Sequence, residues 1–183
     1  MGLPSETLLF EQVELRRWRV DDLDTLYGVT TEALDHLRPW MPWAAESSRE
    51  HSAEFLATSQ LEWMSGEAFN YAITSSGTVI GSCGLMRRIG TGGLEIGYWI
   101  HPGWTGRGLA TMTAAALVRE GRSLPGTDHL EIHHDEANQA SAAVPRRLGF
   151  THVERRKRPD GPEAPGEVGI DWVWRLSAAP ECA

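Results

Sequence analysis

Residues 94–111, Leu-Glu-Ile-Gly-Tyr-Trp-Ile-His-Pro-Gly-Trp-Thr-Gly-Arg-Gly-Leu-Ala-Thr, leave the chain few folds to choose from. The first eight residues read as a strand. Residues 102–108 hold a proline and three glycines, and residues 109–122, rich in Ala, Leu, Met and Val, read as a helix. A strand that feeds a helix through a glycine turn belongs to a layered α/β structure. It also has chemical meaning. Glycine lets backbone come close to a ligand, and a helix start presents unpaired N–H groups and positive potential, which together suit a phosphate. Arg107 adds a cation beside that loop. The dinucleotide pattern G-x-G-x-x-G starts at Gly106 and Gly108 but meets Thr111, and the P-loop pattern fails because Leu109 and Ala110 follow Gly108. Taken alone, the loop could also be a tight turn that binds nothing.

The rest of the chain alternates in the same way. Residues 8–18 read as a first strand, and Asp21 as the cap of a helix carrying Leu23, Leu26, Tyr27, Ala33 and Leu34. The two prolines in Arg38-Pro39-Trp40-Met41-Pro42-Trp43 exclude a helix there. Ser47 and Glu50 make a capping box for a second helix, with Ala53, Leu56, Trp63 and Met64 on one stripe. Strands follow at 69–74, 78–89 and 94–101, then the helix at 109–122 and a strand at 129–134. Asn138 opens a short helix that contains Pro145. Strands at 151–158 and 168–176 close the chain, with residues 160–166 expected as a mobile loop between them. The expected fold is α/β: a twisted mixed sheet of about seven strands with helices on both faces. Its 183 residues form one domain, with flexible ends at 1–7 and 177–183.

Net charge is −8, which argues against a nucleic-acid binder and suits a small-molecule enzyme with a cationic substrate. No apolar run reaches the roughly 20 residues that span a bilayer, and residues 1–7 lack the pattern of a signal peptide, so no membrane role is expected. Two cysteines, Cys83 and Cys182, with no C-x-x-C spacing, point to a reducing, cytoplasmic setting and to no metal.

Downstream of the loop comes a second segment: a strand, then Asn138, Ser141 three residues on, and Leu148-Gly149-Phe150. The two segments together resemble the acyl-CoA-binding core of the GNAT N-acetyltransferase superfamily, and its RimJ/RimL-type branch in particular. Leu37-Arg38-Pro39-Trp40-Met41-Pro42-Trp43 resembles the substrate-side loop of that branch. The resemblance spans about residues 15–176. It implies transfer of an acyl group, usually acetyl from acetyl-CoA, to a primary amine by direct attack. The amine is that of a protein N-terminus or of a small molecule, and a non-catalytic acyl-CoA-binding module is the alternative. A homodimer is compatible with it.

By that resemblance Trp99, Ile100 and His101 lend backbone groups to the pantetheine arm, and an N–H near Ile100 meets the oxyanion. Gly106, Arg107, Gly108, Leu109, Ala110 and Thr111 hold the pyrophosphate. Asn138 bonds the pantetheine, and Ser141 protonates the departing thiolate. Thr105 stands where the loop pattern commonly begins with Gln or Arg. Pro145 stands where other branches carry a catalytic tyrosine, which leaves Tyr98 as the tyrosine acid if there is one. His133 stands where one relative has a glutamate base.

Several residues carry two readings. Glu95 is either the general base, directly or through water, or a strand carboxylate satisfied by an arginine. His133 and His134 point to opposite faces of one strand, so only one can line a cleft. It is either a base or substrate contact, or a structural histidine. Trp40 and Trp43 are substrate walls or core plugs. The basic run Arg155-Arg156-Lys157-Arg158 is a solvated strand edge or an anchor for the 3′-phosphate or RNA. Cys83 has no histidine partner in sequence, and a covalent role for it stays open.

Overall fold

The computed structural model describes residues 2–178. Its strands are β1 (Thr7–Phe10), β2 (Val13–Arg17), β3 (Ala68–Ser75), β4 (Thr78–Met86), β5 (Gly93–Ile100), β6 (His129–Asp135), β7 (Thr151–Lys157) and β8 (Ile170–Ser177). The helices are α1 (Leu23–Leu37), α2 (Arg49–Ser65), α3 (Leu109–Ser123) and α4 (Gln139–Arg147). The eight strands form one sheet in the order β1-β2-β3-β4-β5-β6-β8-β7. Every neighbouring pair is antiparallel except β5 and β6, which are parallel.

One face of the sheet packs on α3. Phe69, Tyr71 and Ile73 of β3, Leu85 of β4, and Leu94 and Ile96 of β5 join Ala114 and Leu117 in the main core. Each fully buried Leu or Ile is worth about 1.5–3 kcal/mol. Burying Leu94 and Ile96 there anchors β5 from one side and turns Glu95 to the other. On the opposite face α1 and α2 enclose Trp18, Leu26, Leu56 and Ala72. Helices therefore cover both faces, as expected.

The differences from the expected pattern have local causes. The eighth strand arises because residues 8–18 are a hairpin, with Glu11 at φ 50° and Thr7 paired with Arg16. Asp22, not Asp21, stands at the start of α1. It follows a 3-10 turn over Val20–Asp22, and its carboxylate accepts from the Arg19 N–H and from Arg16. Pro42 opens a 3-10 turn over Pro42–Glu46, since proline needs no N–H at a first helical position. Ser48, not Ser47, caps α2 by accepting from the His51 N–H. The buried stripe of α2 is Ser52, Leu56, Ser59 and Trp63, while Ala53 and Met64 face solvent. Two of those four are serines, so the apolar pattern alone could not trace the stripe.

The segment expected as a mobile loop is tied down: the Gly166 N–H donates to Pro39 O at 2.9 Å, and Glu167 pairs with Arg158. Thr7 and Ser177, expected in flexible ends, lie in strands. Cys182 lies outside the described residues. Among the described residues no helix is long and apolar enough to cross a membrane.

Candidate active site

β5 and β6 pair only from Gly93–Glu95 to His129–Glu131, after which β6 bonds β8 along its whole length. The sheet splits there. A cavity of 610 Å³ opens at the split, and Trp40, Trp43, Glu95, Trp99, His133, Asn138 and Ser141 all line it. Candidates far apart in sequence thus share one space. Ile100, His101 and residues 106–111 are not part of that lining.

Glu95, 8% exposed, accepts from Arg88 through both oxygens, at 2.8 and 2.6 Å. Of its two readings, the arginine-bound carboxylate is the one seen. His133 Nε2 lies 2.6 Å from Glu131 Oε2, and His133 Nδ1 lies 3.9 Å from Glu95 Oε2. Glu131 is also bound by Arg175, at 2.7 Å from its Nε. Burial pushes the Glu131 carboxyl up, but hydrogen bonds from His133 and Arg175 outweigh it and hold the group below its ordinary value. Arg88, Glu131 and Arg175 escaped the sequence reading. The one available signal was alternation, because Glu131 and His133 stand two apart on a strand and must share a face.

At the other end of the cavity Asn138 Oδ1 accepts from the Ser141 N–H at 3.1 Å and caps α4. Its amide NH₂ stays available to an acceptor in the cavity. α4 runs through Pro145 to Arg147. The turn before it is held by Asp135, whose two oxygens accept from the N–H groups of Ala137, Val168, Gly169 and Ile170 and from Arg158. That clasp, also absent from the sequence reading, places Asn138 and Ser141 relative to the sheet.

The loop before α3 is shaped as the glycines suggested. Gly106 and Gly108 have φ of 74° and 76°. A Cβ on Gly106 would meet nothing within 4 Å, and one on Gly108 only Met112 Cε at 3.8 Å, so the space in front of the turn is open. Gly108 is the N-cap of α3, which leaves the N–H groups of Leu109, Ala110 and Thr111 without helical acceptors. Arg107 donates to Gly103 O and lies over the Trp104 ring. His101 departs from expectation: its N–H donates to Ile80 O within the sheet, so it cannot serve a ligand in the split. Alternation along β5 turns the Ile100 backbone the other way. Trp99 contributes its ring, which tilts against Trp43 with centroids 6.2 Å apart.

Trp43 is 45% exposed at the cavity mouth and Trp40 is half-buried. His134 lines the cavity together with His133, against the expectation that only one of the pair could, yet its ring is satisfied as one reading had it. Its Nε2 accepts from Trp174 Nε1 at 2.9 Å, and its Nδ1 lies 2.8 Å from Asp135 O. The run 155–158 lies on the sheet edge, with Arg155 on Glu136 and Arg158 in the Asp135 clasp. Cys83 is a buried free thiol pushed up by that burial. Among the described residues no group of three or more His, Cys, Asp or Glu side chains could hold a metal ion.

The profile of the acetyltransferase (GNAT) domain matches residues 12–151. No curated protein sequence matches. Among solved structures, a RimL ribosomal L7/L12 alpha-N-protein acetyltransferase in complex with coenzyme A is similar over 94% of this chain and 98% of its own, with 21% identity and a TM-score of 0.86. RimJ of Mycobacterium smegmatis with CoA-disulfide is similar over 94% and 86%, at 22% identity and TM-score 0.82. The microcin C7 self-immunity acetyltransferase MccE, in complex with acetyl-CoA and AMP, is similar over 91% and 93%, at 18% identity and TM-score 0.82.

Proposed function

Since this chain belongs to the acetyltransferase (GNAT) domain family, we propose that it moves an acetyl group from acetyl-CoA to a primary amine by direct attack. The observation that carries this reading is the split between β5 and β6. Glu95, His133 and Ser141 line one cavity beside it, and β5, which leads to the glycine-shaped helix start, runs along its wall. In this reading the α3 start, with Gly106, Arg107, Gly108, Leu109, Ala110 and Thr111, holds the pyrophosphate. Ile100 offers its backbone N–H to the developing oxyanion. The Asn138 amide bonds the pantetheine, and Ser141 gives a proton to the thiolate. Trp40 and Trp43 wall the acceptor, and Glu95 lies at the amine end. The RimL neighbour acts by name on a ribosomal protein, which supports a protein N-terminus as acceptor and a cytoplasmic site of action.

Release of free CoA thiol, measured across alkyl amines and N-terminal peptides, tests the proposal. Acetyl-CoA-dependent release with at least one amine is expected. A folded chain that binds acetyl-CoA and releases none with any amine would be a binding module.

A further inference from the structure

The cavity reaches well past the split. On the side of the sheet that α1 and α2 cover, Asn70 of β3 pairs with Gly84 of β4, and Gly84 with Gly97 of β5. All three line the cavity. Neighbouring strands lie about 4.8 Å apart, so this row carries the space about 10 Å across the sheet from β5. The two glycines leave its floor bare. A Cβ on Gly84 would come within 2.7 Å of Asn70 Oδ1, so the absence of one lets the amide lie out over β4. A Cβ on Gly97 would meet Met86 Cε at 3.0 Å. Met86, Leu26 of α1 and Phe55 of α2 give the same space apolar walls. At the far end Asn70 Nδ2 donates to Ser59 Oγ at 3.0 Å and to Glu62 Oε2 at 3.3 Å, both on α2. Those two bonds use both amide protons and turn Oδ1 toward Gly84. Among the described residues no donor reaches Oδ1. Ser82, on the next row, is already engaged: its Oγ accepts from Trp18 Nε1 and donates to Tyr71 O.

Resting on the transfer reading above, we infer that this row selects the acceptor: the carbon chain of the amine lies over Gly97 and Gly84, and a hydroxyl at its tip donates to Asn70 Oδ1. Glycine floors admit a chain where any side chain would stand in its way. Apolar walls with one open acceptor at the end suit a short chain tipped by an uncharged donor. A methyl tip of the same size leaves Oδ1 without a partner once water is displaced. A carboxylate tip meets no donor there, because both amide protons are spent on α2. The substrate class is a primary amine whose short chain ends in a hydroxyl, and Asn70 is the residue that sets this preference.

The test uses the full chain with acetyl-CoA and two series of unbranched primary amines, matched in length, one ending in methyl and one in hydroxyl. At the length that fits best, kcat/KM should favour the hydroxyl by about 2–10-fold, the worth of one neutral hydrogen bond. Asn70→Ala should bring that ratio to one or below, since a hydroxyl buried without a partner is penalised, and should leave acetyl-CoA affinity unchanged. Ser59→Ala takes a partner from the amide but leaves Oδ1, so the ratio should persist; this separates a lost acceptor from a loosened α2. Gly97→Ala, whose methyl meets only the flexible end of Met86, should keep the fold and lower kcat/KM for both series by about fivefold or more. No hydroxyl preference at any length, a preference that survives Asn70→Ala or is lost equally in Ser59→Ala, or full activity in Gly97→Ala would each overturn the inference. A wild-type chain that binds acetyl-CoA and acetylates no amine would instead overturn the transfer reading, and the role of this row with it.

Discussion

The hydroxyl of Tyr98 donates to the backbone carbonyl of Ser141 across 3.4 Å, and that carbonyl has no helical donor because Pro145, four residues on, carries no N–H. Burial pushes the Tyr98 phenol up and its bond to Ser141 only partly offsets this, so the group stays protonated and keeps donating. A sheet residue thereby supplies what the helix lacks at the residue assigned to the thiolate.

Ser141→Ala is expected to lower kcat with acetyl-CoA affinity nearly unchanged. General acids contribute about 10²–10⁴-fold. A thiolate with a reference pKa of about 8.5 leaves easily, so the loss should fall at the bottom of that range or below it. Steady-state rates and CoA titration of the alanine variant check this, and full kcat in it would leave Ser141 a helix-start residue only.

Tyr98→Phe strands the Ser141 carbonyl. That carbonyl is half-buried, so the loss is that of one ordinary hydrogen bond, about 0.5–1.5 kcal/mol. The denaturant midpoint should fall accordingly, with no change in the m-value if two-state unfolding is kept.

Gly108→Val should weaken CoA binding by more than about tenfold, since a branched side chain would fill the open space in front of the α3 start and resist a φ of 76°. Calorimetric titration of CoA into the folded variant measures it. Unchanged affinity would move the pyrophosphate elsewhere.

Asp135 ties acid stability to the site. Burial raises its carboxyl, but the N–H groups of Ala137, Val168, Gly169 and Ile170 outweigh that and hold it below its ordinary value. The stabilisation is complete above the unfolded value of about 3.9 and is lost as pH falls through the lower folded value. Asp135→Ala takes the acceptor from four backbone N–H groups while Arg158 keeps Glu167 and Asp171, and should cost about 1–3 kcal/mol near neutral pH for each N–H left unsatisfied. Stability curves of both proteins against pH should converge in acid.

Trp43→Ala should raise the acceptor KM and leave CoA affinity alone. An aromatic contact beyond area burial is worth about 0.5–1.5 kcal/mol, or about 2–10-fold. Equal KM values would make Trp43 a wall that the acceptor does not touch.

Much of this was legible in the chain itself. The strand–glycine–helix order around residues 94–111 is local, and local sterics decide it: only glycine takes a φ near 75° without strain, so Gly106 and Gly108 announce the turn wherever the chain goes. The Asn138 cap is equally local, since its acceptor lies three residues away. Where the reading missed, the deciding force was distant. A hairpin at Glu11 has no glycine to mark it, and the serine-bearing stripe of α2 is chosen by the sheet beneath it.

Sequence by itself determined the order of elements after the first hairpin, the helix start before residue 109 and the alternation that puts His133 and His134 on opposite faces of β6, because each follows from φ/ψ preference or from the period of a strand. Only the tertiary structure decided that Glu95 belongs to Arg88, that His133 stands between Glu131 and Glu95, and that Tyr98 serves the carbonyl Pro145 leaves open. Those pairings depend on where β5 and β6 part. That point is set by β8 taking the far edge of β6 and by the core holding β5 from below, neither of which any single stretch of sequence contains.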